Sequence, residues 1–237
     1  MTLRVGINGF GRIGRNVLRA AMQYGADIDF VAVNDLGDPE TMAYLLKHDT
    51  VFGPAKFDVT IGDGDITVDC DKMEFLSIRN PAELPWRELG ADIVIESTGI
   101  FKTRAQAALH LEAGAKKVVI SSPSPDADAM VVLGVNDSEL SSDHVIVSNA
   151  SCTTNCFGPM VKVLDDAFGV DQGMITTIHA YTGTQNLIDA PHKDLRRARA
   201  AAENLIPTST GAAKATGKVL PHLLGKLDGM AVRVPLA

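Results

Sequence analysis

Short apolar runs alternate with amphipathic stretches through the first half of the chain. Residues 3–7 read as a buried strand, and Ile13, Val17, Leu18, Ala21 and Met22 then recur near helical spacing. That spacing predicts a helix over 11–24, ended by Gly25. Residues 28–34 form a second apolar run. Asp38-Pro39 predicts a helix through Leu46, with Asp38 as N-cap and Pro39 at the first helical position. Short β segments are expected over 57–77, joined by the turn Gly62-Asp63-Gly64-Asp65. Residues 93–97, 118–120, 130–133 and 145–148 are further strand candidates. A helix over 103–113, ended by Gly114, lies between the first two. Strands alternating with helices predict an α/β fold with a parallel sheet covered on both faces.

The pattern changes near Asn149. Residues 151–168 read as a helix with Val161, Leu164, Ala167 and Phe168 on one face. A strand is expected over 173–181, a long polar and basic stretch over 182–204, a helix over 211–220 and a strand over 229–234. The domain boundary is placed at about residue 150, giving units 1–150 and 151–237. No internal repeat or low-complexity tract is visible.

Composition narrows this picture. At ~150 residues per domain, 237 residues amount to about 1.6 domains. Hydrophobic residues at 46% and charged residues at 22% supply enough apolar surface for a folded core. Lys+Arg 22 against Asp+Glu 29 leaves a net charge of −7, which argues against a binder of duplex nucleic acid. Three cysteines, Cys70, Cys152 and Cys156, exclude a disulfide scaffold and suit a reducing compartment. No apolar stretch approaches the ~18 residues of a membrane span, and a strand-like segment starts almost at once in place of a leader. A cytoplasmic location is expected.

Gly9-Phe10-Gly11-Arg12-Ile13-Gly14 fits G-x-G-x-x-G. It follows a predicted strand and opens a predicted helix, as a pyrophosphate cradle requires. A Gly-rich turn without a ligand would share the pattern, but Asp35 agrees with the cradle. It ends the second strand, 21 residues after Gly14, where a carboxylate accepts from the ribose hydroxyls and repels a 2′-phosphate. A capping or turn role would also suit Asp35. NAD is favoured over NADP.

Ser148-Asn149-Ala150-Ser151-Cys152-Thr153-Thr154-Asn155-Cys156 follows a strand and starts a helix, with Asn149 and Ser151 as N-cap candidates. Cys152 then lies in the first turn, where the helix dipole favours the thiolate. The C-x-x-x-C spacing has no second ligand pair, so no metal site is expected. Two small cysteines packed inside a helix fit the spacing equally well. A base is needed for catalysis, and His179 lies in the strand 173–181. A lone strand histidine is more often structural, and alternation alone does not select it. His48, His110, His144, His192 and His222 have no comparable setting. The run His192-Lys193-Asp194-Leu195-Arg196-Arg197-Ala198-Arg199 suits a solvated face, an anionic-substrate site, a subunit interface or an RNA patch.

Together these residues resemble the phosphorylating glyceraldehyde-3-phosphate dehydrogenases of bacterial glycolytic type. The resemblance is carried by Val5-Gly6-Ile7-Asn8-Gly9-Phe10-Gly11-Arg12-Ile13-Gly14-Arg15 and by Ala150-Ser151-Cys152-Thr153-Thr154-Asn155-Cys156. Glu96-Ser97-Thr98-Gly99, the run 192–202, Ser209-Thr210-Gly211-Ala212-Ala213-Lys214-Ala215 and Arg233-Val234-Pro235 extend it through the chain. It implies a Rossmann-type doubly wound parallel sheet followed by an incomplete α+β catalytic domain. The implied reaction oxidises glyceraldehyde 3-phosphate to 1,3-bisphosphoglycerate with NAD and inorganic phosphate, in glycolysis or gluconeogenesis. Cys152 is the implied nucleophile and His179 the implied base. Two anion pockets are implied, with Thr182, Arg197 and Arg233 as phosphoryl anchors and Ser151, Thr153, Thr210 and Gly211 as hydroxyl and N–H donors in the other pocket or shared between them. Asn8, Gly9, Gly11, Arg12 and Ile13 are implied at the cofactor's pyrophosphate end, Asp35 at its ribose, and Arg79 and Ser121 beside its adenine and nicotinamide.

The resemblance also implies a homotetramer, with the basic run at its core beside a neighbour's cofactor. Ala190-Pro191 stands where many NAD-specific members carry Leu-Pro, which leaves some NADP use open. Members continue beyond Arg233-Val234-Pro235 by more than a quarter of their length, so a C-terminally truncated chain is expected. Exposed strand edges at 173–181 and 229–234 are expected with it. Two other readings stand beside the leading one. One is an erythrose-4-phosphate dehydrogenase, and the other a fragment that binds NAD or RNA without catalysis.

Overall fold

The computed structural model describes residues 2–236. Residues up to Val131 together with Glu139–Ala150 form one unit, and Val132–Ser138 with the residues from Ser151 onward form another.

The first unit is built on β1 (Leu3–Asn8), α1 (Arg12–Tyr24), β2 (Ile28–Asn34) and α2 (Pro39–Lys47). Local chemistry sets the helix ends. Gly25 ends α1 in the left-handed region, which lacks a steric cost only for glycine. The Asp38 carboxylate caps α2 by accepting from the Thr41 amide. Short strands β3 (His48–Asp49) and β4 (Gly53–Pro54) pair with each other. The chain continues through β5 (Val59–Ile61), β6 (Asp65–Val68), β7 (Asp71–Leu76) and β8 (Ile93–Glu96). Then come α3 (Arg104–Glu112), β9 (Lys117–Ile120), β10 (Ala129–Met130) and β11 (Ile146–Ser148). A capping box between Thr103 and Gln106 starts α3.

Nine strands form one sheet in the order β10-β11-β9-β8-β1-β2-β7-β6-β5. Pairing is parallel from β10 to β7 and antiparallel along the β7-β6-β5 edge. Apolar side chains fill both faces. Ile7, Leu18, Phe30, Val33 and Leu46 pack in one cluster, and Val31, Ala32, Trp86 and Val94 in another. The apolar run 130–133 is a strand only at its start. At Val132 the amide donates to Asn136 Oδ1 at 2.9 Å, and Gly134 turns the chain at φ 76°, leaving Leu133 exposed.

The second unit contains α4 (Cys152–Phe168), β12 (Gly173–Ala180), β13 (Ile206–Ser209), α5 (Ala212–Val219) and β14 (Leu227–Val234). Its three-stranded sheet runs β12-β14-β13, parallel between β12 and β14 and antiparallel between β14 and β13. The expected edge at 229–234 is therefore absent: β14 is the central strand, covered on one side by β13, which the apolar pattern does not announce. Val161, Leu220 and Leu223 form the core against Val135, Phe157, Val170 and Leu227. The apolar face read on α4 is only partly buried: Val161 is inside, while Leu164 and Phe168 are exposed.

Candidate active site

Ser151 caps α4, with its Oγ accepting from the Thr154 amide at 3.0 Å; Asn149 does not take that place. Cys152 is the first residue of the helix and is exposed, so its sulfur sits beside the unpaired amides of the first turn. The Sγ lies 3.3 Å from His179 Nε2 on β12 and 4.0 Å from Thr153 Oγ1. On its far side, His179 Nδ1 is 2.6 Å from the Ala180 carbonyl oxygen. The parallel ladder pairs His179 with Arg233 on β14, and Arg233 Nη1 donates to the same carbonyl at 3.0 Å.

Two cations stand beside this pair. Burial first, and then the Arg197 charge, hold the Arg233 guanidinium below its ordinary pKa, while Cys152 opposes that shift. Arg233 Nε is buried without a hydrogen-bond partner among the described residues, as a group awaiting an anion would be. The Arg197 side chain is aimed by Nε donation to Thr208 Oγ1 at 2.9 Å, and Thr208 in turn donates to Asp194 Oδ2 at 3.2 Å. Thr182 Oγ1 lies 3.0 Å from Thr184 Oγ1. Thr210 Oγ1 accepts from the Ala212 amide at 3.2 Å, and Gly211 caps α5. Cys152, His179, Arg233 and Arg197 thus gather around one point, while Thr182 and Thr210 make local bonds.

In the first unit, a cavity of about 360 Å³ opens at the C-terminal ends of the parallel strands, where such sheets bind ligands. Asn8, Gly9, Gly11, Asp35 and Arg79 line it. So do Asn34, Ile78, Ser97, Thr98, Ile100 and Phe101, to which the sequence reading gives no role. Their signal is positional, since they end β2 or follow β7 and β8. Gly9 has φ 93°, and a Cβ there would fall 2.6 Å from the Thr98 nitrogen. A Cβ at Gly11 would meet only open space. The loop therefore leaves an open, side-chain-free cradle before α1, which fits a pyrophosphate. Asp35 accepts from the Phe10 and Gly37 amides at 2.8 and 2.9 Å, one on each oxygen, and keeps further lone pairs for hydroxyl donors.

Three residues expected at the cofactor lie outside that lining. Arg12 pairs with Asp49 at 2.9 Å and covers the Phe52 ring at 5.6 Å. Ile13 is half exposed, and the Ser121 amide donates to the Glu96 carbonyl. His110, read as unremarkable, is fully buried among polar partners. Among the described residues no group of three or more potential ligands is arranged for a metal, and no helix is long and apolar enough to cross a membrane.

Comparison with known proteins finds relatives for both parts of the chain. Residues 3–104 match the glyceraldehyde 3-phosphate dehydrogenase NAD binding domain, and residues 151–237 match the C-terminal domain of the same family. The glyceraldehyde-3-phosphate dehydrogenase of Streptomyces coelicolor is 61% identical over 237 residues, covering all of this chain and 70% of the relative. That of Mycobacterium avium is 59% identical over 242 residues, covering all of this chain and 71% of the relative. Glyceraldehyde-3-phosphate dehydrogenase 2 of Streptomyces avermitilis is 61% identical with similar coverage. This chain, an NAD-dependent oxidoreductase by its domains, belongs to the glyceraldehyde 3-phosphate dehydrogenase family.

Proposed function

We propose that this chain carries the machinery for phosphorylating oxidation of glyceraldehyde 3-phosphate, with Cys152 as nucleophile and His179 as base. The observation that carries the reading is the 3.3 Å approach of His179 Nε2 to a sulfur at the start of α4. With its proton on Nδ1 and donated to the Ala180 carbonyl, His179 presents an Nε2 lone pair to the thiol. The thiolate attacks the aldehyde carbon, and a C–S bond forms as the carbonyl oxygen takes back from Nε2 the proton that the thiol gave up. Nε2 then takes the hydroxyl proton as the thiohemiacetal is oxidised to a thioester. NAD, when bound, supplies the acceptor for the hydrogen and electron pair leaving carbon. Inorganic phosphate attacks the thioester, the C–S bond breaks, and 1,3-bisphosphoglycerate leaves with the thiolate restored.

Arg233 and Arg197 supply the positive charge for the phosphoryl groups, with Thr182, Ser151, Thr153, Thr210 and the Gly211 amide as further donors. The relatives named above act on glyceraldehyde 3-phosphate by name, which favours that substrate over erythrose 4-phosphate. Asn8, Gly9, Gly11, Asp35 and Arg79 hold the dinucleotide, with Arg12, Ile13 and Ser121 at its margin. A cytoplasmic homotetramer, with the basic run 192–202 at its subunit core, is the assembly this reading implies. The test is NADH formation by the 237-residue chain with each aldehyde, phosphate and NAD. Turnover dependent on phosphate and greater with the three-carbon substrate supports the reading; preference for erythrose 4-phosphate overturns it.

A further inference from the structure

A line of buried polar side chains runs beneath one wall of the dinucleotide cavity. The register of the parallel sheet creates it. Asn8 on β1 stands opposite Glu96 on β8 and opposite Asn34 on β2. Asn8 Nδ2 donates to Glu96 Oε2 at 2.6 Å, and Asn34 Nδ2 donates to Asn8 Oδ1 at 2.7 Å. Asn34 then grips the backbone of Ile78 in both directions, donating to its carbonyl at 2.9 Å and accepting from its amide at 2.8 Å. The other carboxylate oxygen, Glu96 Oε1, accepts from the Thr98 amide at 2.8 Å and from the Thr98 hydroxyl.

Behind Glu96 lies His110 of α3, at 0% exposure, with Nε2 3.0 Å from Glu96 Oε2. Trp86 Nε1 is 3.0 Å from His110 Nδ1. An indole N–H only donates, so Nδ1 must accept, and the histidine proton is fixed on Nε2, facing the carboxylate. Glu96 is thus surrounded by donors on both oxygens. Asn8, Asn34, Ile78 and Thr98 line the cavity, whereas Glu96, His110 and Trp86 do not.

Burying so many polar groups costs free energy that an apolar core would not incur, unless every group is paired. Here the pairing fixes which way the Asn8 amide points and holds the Thr98 turn against the glycine loop. Ser97 Oγ also donates to the Gly9 carbonyl at 2.6 Å, closing the same corner. We propose that Glu96 and His110 are positioning residues of the dinucleotide site: they touch no ligand and set its affinity through Asn8 and Thr98. This inference rests on the dinucleotide reading of the cavity.

The test is calorimetric titration of NAD into the full chain, with melting temperature recorded for each variant. E96Q turns one carboxylate oxygen into an amide N–H, which faces existing donors whichever way it is placed. A roughly tenfold weaker NAD affinity is expected from that mismatch. H110Q keeps a donor nitrogen near the Nε2 position and H110N does not, so H110Q is expected to bind NAD several-fold tighter than H110N. Their comparison decides the matter even if E96Q fails to fold. A folded E96Q that binds NAD like the wild type, or equal weakening by H110Q and H110N, overturns the proposal. A wild-type chain that binds no NAD refutes instead the dinucleotide reading beneath it.

Discussion

Arg233 Nη1 lies 3.0 Å from His179 Nδ1, and both nitrogens reach one acceptor, the Ala180 carbonyl oxygen. The imidazole is thereby held from behind by a strand neighbour that is itself a candidate phosphate anchor. R233L should therefore lose more than phosphate binding. Turnover of glyceraldehyde, which has no phosphate to anchor, should fall by about tenfold or more through loss of ring orientation. An unchanged rate with glyceraldehyde would confine Arg233 to anchoring.

The Cys152–His179 contact predicts a reactive thiol. H179N should slow alkylation of Cys152 near neutral pH by about tenfold, because the thiol loses its proton acceptor. Cys70 and Cys156 are also exposed, so peptide mass analysis must separate the three. C152S should abolish oxidation and leave NAD affinity nearly intact. Substantial residual turnover would refute covalent catalysis at this position.

Gly9 and Gly11 should fail differently as alanines. At Gly9 the backbone has φ 93° and a Cβ would sit 2.6 Å from the Thr98 nitrogen, so G9A should cost about 1–3 kcal/mol of stability. G11A has room for its methyl group, so its melting temperature should barely move while NAD affinity falls. Equal loss of stability in both would contradict this assignment of roles.

Asp35 holds two loop amides as well as facing the cavity. D35G should weaken both cofactors, and NAD by more than NADP, since removing the carboxylate also removes repulsion of a 2′-phosphate. Competitive titration of the two dinucleotides checks this. A constant ratio would leave Asp35 as a loop tie alone.

Acid should loosen the segment that aims Arg197. Hydrogen bonding from the Arg196 side chain draws the Asp194 carboxyl from 3.8 down to about 2. A lowered folded-state value stabilises above the unfolded value and loses that contribution as pH falls through the folded one. Protection of the amides at residues 195–198, taken relative to intrinsic exchange at each pH, should fall between about pH 4 and pH 2, and D194N should abolish that fall. An identical profile in D194N would place the transition elsewhere.

Much of this was legible in the chain itself. Gly9, Gly11, Asp35 and Cys152 stand out because their chemistry is tied to local signals: a strand end, a glycine turn or a helix start; His179 carries no such signal, and only the family resemblance points to it. The Glu96–His110 contact was not, because nothing in an amphipathic helix marks one histidine as facing a strand end 14 residues earlier. Strand β13 escaped notice for a related reason. Ile206-Pro207-Thr208-Ser209 has a single apolar β-branched residue, and its place is fixed by pairing with β14. The run 130–133 misled because apolar residues can also close a turn under a side-chain cap such as Asn136.

The strand order β12-β14-β13 has a bearing on biosynthesis. Strand β14 is the last of the three to be synthesised, yet among the described residues it is the only partner each of the others has in this sheet. A growing chain that has already released Cys152 and His179 into solvent still lacks the ladder that orients the histidine. Arg233, which stands beside His179 in the folded chain, lies 54 residues further along. The base and the strand neighbour that backs it thus depend on long-range pairing through β14, not on any local segment.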